Sequence, residues 1–138
     1  WPITPAINPP KTGCQAAGGA AYFCQYVKDV ILNDPAFGAT PEERTTKLRR
    51  GGMNVYTTLD TRLQASAEAA MAENVPAALD GIKLGSTVVS LEATTGRILA
   101  IAQNTMFSED AAEASQPGYS SLVFAGDRKF GRSDGFNA

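Results

Sequence analysis

The stretch Gly51 to Met71, GGMNVYTTLDTRLQASAEAAM, decides how the chain is read. Met53, Val55, Thr57 and Leu59 alternate with Asn54, Tyr56 and Thr58, the period of two that a half-buried strand requires. The run is also rich in β-branched and aromatic residues. Asp60 stands where a helix N-cap belongs. Beyond it Leu63, Ala67, Ala70, Met71 and Val75 recur at helical spacing, with Arg62, Gln64, Glu68 and Glu73 on the opposite side. The pattern predicts a strand running straight into a helix, and the small alanines predict close packing against a sheet or a second helix. Pro76 and the turn-rich LDGIKLG, Leu79 to Gly85, end that helix.

Upstream, Phe23, Tyr26, Val27, Val30 and Ile31 fall on one helical face and Gln25, Lys28 and Asp29 on the other, which predicts an amphipathic helix from about Ala20. Asn33-Asp34-Pro35 is turn chemistry. Thr40 then caps a second helix with Pro41 at its first position and Glu42 and Glu43 in its first turn. Lys47, Arg49 and Arg50 complement its dipole, and Gly51-Gly52 ends it. The charges of this helix read as a solvated face, not a binding patch. The first nineteen residues, rich in Pro, Gly and Ala, read as an extended entry segment.

Downstream, Ser86 to Asn104 (STVVSLEATTGRILAIAQN) carries the clearest β signal. Two runs, Thr87–Glu92 and Arg97–Gln103, flank Ala93-Thr94-Thr95-Gly96, a hairpin loop with glycine at its left-handed position. Both runs are apolar at nearly every position, which predicts a sheet covered on both faces, although the rest of the chain offers little to cover it with. After Asn104 no period is sustained, and Leu122-Val123-Phe124 is the only apolar patch. The expected class is α+β, in three parts: an extended segment over 1–19, a mixed region of helices and one strand over 20–85, and a hairpin-led part over 86–138. The polar tail predicts a chain interrupted within its last domain.

Composition narrows the function. At 138 residues, 43% apolar and 19% charged, the chain suits one globular domain or a part of a larger protein. A net charge of −2 is too small to make nucleic acid or an anionic membrane the main partner. The chain has no histidine, so the commonest general base and metal ligand is missing. No run approaches the roughly 18 apolar residues that span a bilayer. WPITPAINPP has no signal-peptide pattern and no initiator Met, so the chain reads as cut from a longer one. Cys14 and Cys24 are either two separate thiols or a disulfide, the latter stabilising by about 2–3 kcal/mol. Two sulfurs without histidine would leave zinc under-ligated.

Candidate chemistry is sparse. The adjacent carboxylates Glu42/Glu43 and Glu109/Asp110 lie in no apolar setting that would split their pKa values. Phosphate-cradling glycine loops are absent, and so is any basic patch interleaved with aromatics. Acyl-serine transfer needs Ser-x-x-Lys, a Ser-x-Asn-type motif and Lys-Thr-Gly in that order. Only the last is present in letters, as Lys11-Thr12-Gly13, at the wrong end of the order and outside any strand. No catalytic, cofactor-binding or metal-binding residue is assigned.

Four segments carry a resemblance. AAYFCQYVKDVIL, Ala20 to Leu32, resembles the Tyr-Phe-x-x-Tyr-Val helix that follows the glycosyltransferase domain in class A penicillin-binding proteins. Gly51 to Met71 is similar to that family's G-G-x-x-V-Y-T-T-L-D-x-x-L-Q-x-x-A-E signature. Ser86 to Asn104 resembles its first transpeptidase hairpin, and the terminal Gly135-Phe136-Asn137-Ala138 resembles the run-up to the nucleophile motif. Together they cover most of residues 20–104 and the last few residues. The Val-Tyr-Thr-Thr-Leu-Asp run is the specific part. Asn33–Arg50 is longer than in many members, and 105–135 matches no signature.

The resemblance implies a membrane-anchored synthase on the extracytoplasmic face, with one domain polymerising glycan strands and a transpeptidase domain cross-linking stem peptides through an acyl-serine. This chain would be the linker and the start of the transpeptidase, stopping about five residues short of the serine. The implied partners are the flanking glycosyltransferase and transpeptidase domains, peptidoglycan precursors through the parent, and divisome or elongasome proteins; no cofactor and no nucleic acid are implied. An oxidising location favours a Cys14–Cys24 disulfide, and the paired cysteines suggest an actinobacterial-type member. The expected function is a stiff, non-catalytic spacer that positions the transpeptidase. The alternative is an interaction or oligomerisation module using strands 86–103, which are expected to pair between copies. A free-standing enzyme using Asp/Glu chemistry finds no poised groups.

Overall fold

The computed structural model describes residues 12–82 and 84–125. Residues 1–11, with Lys11 of Lys-Thr-Gly, and the Gly135–Ala138 run lie outside the described residues. In chain order come a 3-10 segment (Gly13–Ala20), α1 (Ala21–Asn33), a 3-10 turn (Pro35–Phe37), α2 (Pro41–Arg50), α3 (Thr61–Asn74), β1 (Thr87–Leu91), β2 (Ile98–Gln103), β3 (Met106–Phe107), α4 (Ala111–Ala114) and β4 (Tyr119–Ser120). The class is α+β: β1 and β2 pair antiparallel, β3 and β4 pair parallel, and no barrel closes among the described residues.

The helix signals act as their chemistry requires. Thr40 Oγ1 accepts from the Glu43 N–H at 3.2 Å, with Pro41 at the first position, and Glu43 reaches back to the Ala39 N–H at 2.9 Å. Asp60 Oδ1 accepts from the N–H groups of Arg62 and Leu63 at 2.9 and 3.1 Å, starting α3. In the hairpin, the Gly96 N–H donates to Glu92 O at 2.8 Å, and its φ of 72° is the left-handed geometry the loop needs.

Four expectations are corrected. Met53–Leu59 is not a strand: residues 51–60 hold no regular element, and residues 51–58 are exposed. Alternation alone builds no strand without a partner. Among residues 51–60, the Thr58 hydroxyl, which donates to Ile98 O, and the Asp60 N–H, which donates to Leu99 O at 2.9 Å, make the hydrogen bonds to a neighbouring strand. Residues 13–19 are helical turns and not extended, because a bond from Cys14 to Cys24 folds them back on α1. Gln64 and Asp29, read as solvent-facing, are buried. The Asp29 carboxylate accepts from Gln25 Nε2 at 2.9 Å, and its carbonyl from Asn33 Nδ2 at 2.8 Å. Finally, the hairpin is covered unequally: Ala100, Ile101 and Ala102 of β2 are buried, whereas Val88, Val89 and Leu91 of β1 are exposed.

The core explains that asymmetry. Tyr22 and Phe23 of α1, Ile101 of β2 and Val123 form one buried cluster, with Tyr26, Val27, Leu59, Ile98 and Phe107 packed around it. Tyr22 and Phe107 meet edge to face, 5.3 Å between ring centroids. The tail without sequence period therefore supplies core residues. Its two-residue strands are too short to show a period, and α4 is a single turn capped by Asp110, whose Oδ1 accepts from the Glu113 N–H at 2.8 Å.

Candidate interaction surface

Side-chain carboxamides fasten the irregular parts of this fold to its strands. Gln64, in the first turn of α3, is 3% exposed. Its Oε1 accepts from the Ile101 N–H at 2.9 Å and its Nε2 donates to Ile101 O at 2.8 Å, the two bonds a neighbouring strand would make. The same Nε2 lies 2.8 Å from Glu68 Oε1 and 3.3 Å from Gly19 O, which draws the 3-10 segment into the joint. Gln103 treats the chain at 122–124 likewise: Oε1 accepts from the Phe124 N–H at 3.0 Å and Nε2 donates to Leu122 O at 3.1 Å. Asn104 holds the α3–β1 connector, donating to Pro76 O and Leu84 O at 3.0 Å each and accepting from the Ser86 N–H at 2.8 Å.

The two edges of the hairpin therefore differ. The outer edge of β2 is closed by the Asp60 N–H and the Gln64 amide. In the β1–β2 register Val89 opposes Ile101, whose backbone groups face Gln64 and not β1, so those of Val89 face away from β2. No described strand pairs with that side. Val89 is 39% and Leu91 59% exposed, and β1 carries no charge over Thr87–Leu91. An uncharged, open, apolar edge is a surface on which a further strand can add.

A second surface lies on α1. Cys14 and Cys24 are joined by a disulfide that forms one wall of a groove of about 480 Å³, whose apolar floor includes Phe23, Val27, Ile31 and Leu59. The loop after α2 borders it through Val55.

The titratable groups serve structure. Glu42 and Glu43 sit in the first turn of α2; Glu109 pairs with Lys28 at 3.2 Å. Arg44 is buried with no acidic partner among the described residues, its Nε and Nη1 donating to Leu32 O and Gly38 O, each at 2.7 Å, so it locks α2 to the end of α1. The two Asp60 N–H bonds hold its carboxyl below the ordinary range. Burial pushes the Tyr22 phenol up to about 12, against hydrogen bonds from Thr105 and Gln103 that lower it. Ser108, fully buried, donates to Glu113 Oε2 at 2.6 Å. The described residues contain no cluster of three metal-ligating side chains, and no helix among them is long and apolar enough to cross a membrane.

Sequence reasoning missed Gln64, Gln103, Asn104 and Arg44. Each is polar by type, and nothing in its spacing marks Gln64, Asn104 or Arg44 as buried or Gln103 as bonded to the chain at 122–124. No family model matches the chain, and neither does any curated protein or solved structure.

Proposed function

We propose that this chain is a non-catalytic, positioning part of a peptidoglycan synthase of the class A penicillin-binding type, holding a transpeptidase domain in place on the extracytoplasmic face of the membrane. The observation that supports it is the joint at residues 58–64, which falls within the stretch that carries the resemblance. Thr58, Asp60 and Gln64 clamp the first turn of α3 onto β2 through four backbone contacts. A joint so bonded transmits orientation, where a Gly/Ser linker would let neighbouring domains wander. The disulfide suits an oxidising location. On this reading glycosyltransferase and transpeptidase activity belong to the parent, whose domains, substrates and cell-wall partners are those of the family.

The test is mass spectrometry after incubation with a fluorescent penicillin, on this chain and on one extended along its parent through the next transpeptidase motifs. Labelling of the extended chain alone supports the reading. Labelling of neither removes it.

The open β1 edge favours a second reading, an interaction or oligomerisation module. Light scattering over a concentration series checks it: the chain is expected to dimerise, and Val89→Lys, which puts a charge on the edge, to hold it monomeric. A monodisperse wild-type monomer at high concentration rules this reading out.

A further inference from the structure

The last turn of α2 and the loop that follows combine two features. From Arg44 through Thr58 the chain contains no carboxylate, yet it holds Arg44, Lys47, Arg49 and Arg50, so a net charge of −2 conceals a wholly basic stretch. Arg44 is buried, but Lys47, Arg49 and Arg50 are exposed, and no described acidic side chain forms an ion pair with them. Glu42 and Glu43 sit in the first turn of the helix, about 9–12 Å along its axis from Arg49 and Arg50 at 1.5 Å per residue, while Lys47 lies one turn from Glu43.

Gly51 and Gly52 then take φ values of 71° and 81°, turning the chain off the helix axis. The next residues expose what a folded chain usually hides. Met53 and Val55 are substantially exposed and Tyr56 is 93% exposed. Val55 and Leu48 also border the apolar groove, so the loop and the groove form one continuous apolar surface beside the basic turn.

Positive charge next to exposed apolar and amphipathic side chains is complementary to one kind of partner, a surface that offers phosphate anions with hydrocarbon directly beneath. We propose that the end of α2 and the 51–58 loop form a peripheral docking site for an anionic lipid surface. Arg49 and Arg50 sit among the headgroup phosphates. Met53 and Val55 enter the acyl boundary, and the Tyr56 ring lies at the interface with its hydroxyl toward water. The penicillin-binding reading is not a premise of this argument, and the site stands or falls apart from it.

Co-sedimentation of the 138-residue chain with vesicles tests the site. Two compositions serve, phosphatidylcholine alone and phosphatidylcholine with an equal part of phosphatidylglycerol, each at low and high salt. The chain is expected to partition at least about tenfold more strongly to the anionic vesicles, with salt abolishing the difference. Arg49→Gln with Arg50→Gln is expected to lower that partitioning by about 25-fold, near fivefold per arginine. Tyr56→Ser weakens it on both compositions, since the ring contributes area and not charge. All three positions are exposed, so circular dichroism of the variants should match wild type. Equal partitioning to both vesicles, pelleting with neither, or variants that bind as wild type would each overturn the proposal; the last two would leave the loop as a protein-contact surface.

Discussion

Replacing Gln64 with leucine strips the β2 edge of its only partner at Ile101. The Ile101 residue is 0% exposed, so water cannot replace the lost amide. Two backbone groups are stranded, one N–H and one C=O, each costing about 1–3 kcal/mol when buried unpaired. Leucine returns some apolar burial, leaving a net loss of roughly 2–4 kcal/mol by the same accounting. For a domain whose whole stability is about 5–15 kcal/mol, that is a large share. Urea unfolding followed by circular dichroism reads it directly: with a slope of about 2 kcal/mol per molar urea, the midpoint falls by about 1–2 M. Gln64→Glu sharpens the test. Its carboxylate still accepts from the Ile101 N–H but sets anionic oxygens against Ile101 O and Glu68 Oε1, the two nearest of the three acceptors that Nε2 now serves. It should lose as much as leucine near neutral pH and regain part in acid, where a protonated carboxyl can donate. Ser66→Ala, exposed on the same helix, is the control and should stay within about 0.5 kcal/mol. A Gln64→Leu midpoint equal to the control would refute the reasoning, because the edge would then be satisfied some other way.

Cys14→Ser with Cys24→Ser should lower stability by about 2–3 kcal/mol, and a reductant should do the same to wild type but nothing to the variant. Tyr22→Phe removes the hydroxyl that meets Thr105 Oγ1 at 2.7 Å and should cost about 1–2 kcal/mol by denaturant titration. Because burial raises the Tyr22 phenol to about 12, the unfolded chain loses that proton first. Its contribution is whole below about pH 10 and disappears as pH rises toward 12, so the wild-type stability curve should fall more steeply there than that of Tyr22→Phe. Asp60 runs the other way. Its depressed carboxyl stabilises above the ordinary carboxylate value and ceases to as pH falls through the folded one, so Asp60→Asn, which keeps a capping oxygen, should flatten the acid limb of the midpoint-versus-pH curve. Identical acid limbs would remove the cap from that role.

Local signals were legible in the sequence because they are settled by a few neighbouring residues. The Thr40 and Asp60 caps, the α1 stripe and the hairpin loop ending at Gly96 are all of this kind. What escaped depends on residues far apart in the chain. A glutamine on a helix looks solvated until a strand edge 37 residues away arrives to claim both ends of its amide. Met53–Leu59 alternates as a strand does, but pairing is decided by whether a free edge exists, and Asp60 and Gln64 occupy the one beside it. In the tail, β3 and β4 are two residues each, below any period that sequence can display, so Leu122-Val123-Phe124 reads as an isolated apolar patch, and its Val123 proves to be core. As for the interaction surface, the apolar character of the hairpin was evident, while its division into one sealed and one open edge was not.

The bond from the Tyr22 hydroxyl to Thr105 spans 83 residues, and it sets an order of events on the ribosome. At roughly 5–20 residues per second, α1 leaves the exit tunnel about 4–17 s before its acceptor does. For that interval Tyr22 and Phe23 have neither Ile101 nor Val123 to pack against. The hairpin, local in sequence, closes as soon as it emerges, so Tyr22 and Phe23 of α1 find their packing partners only after it has formed. Slowing elongation between residues 34 and 100 therefore lengthens the time the Tyr22 and Phe23 side chains spend without their β2 partner, and the yield of folded chain should fall as translation there is slowed.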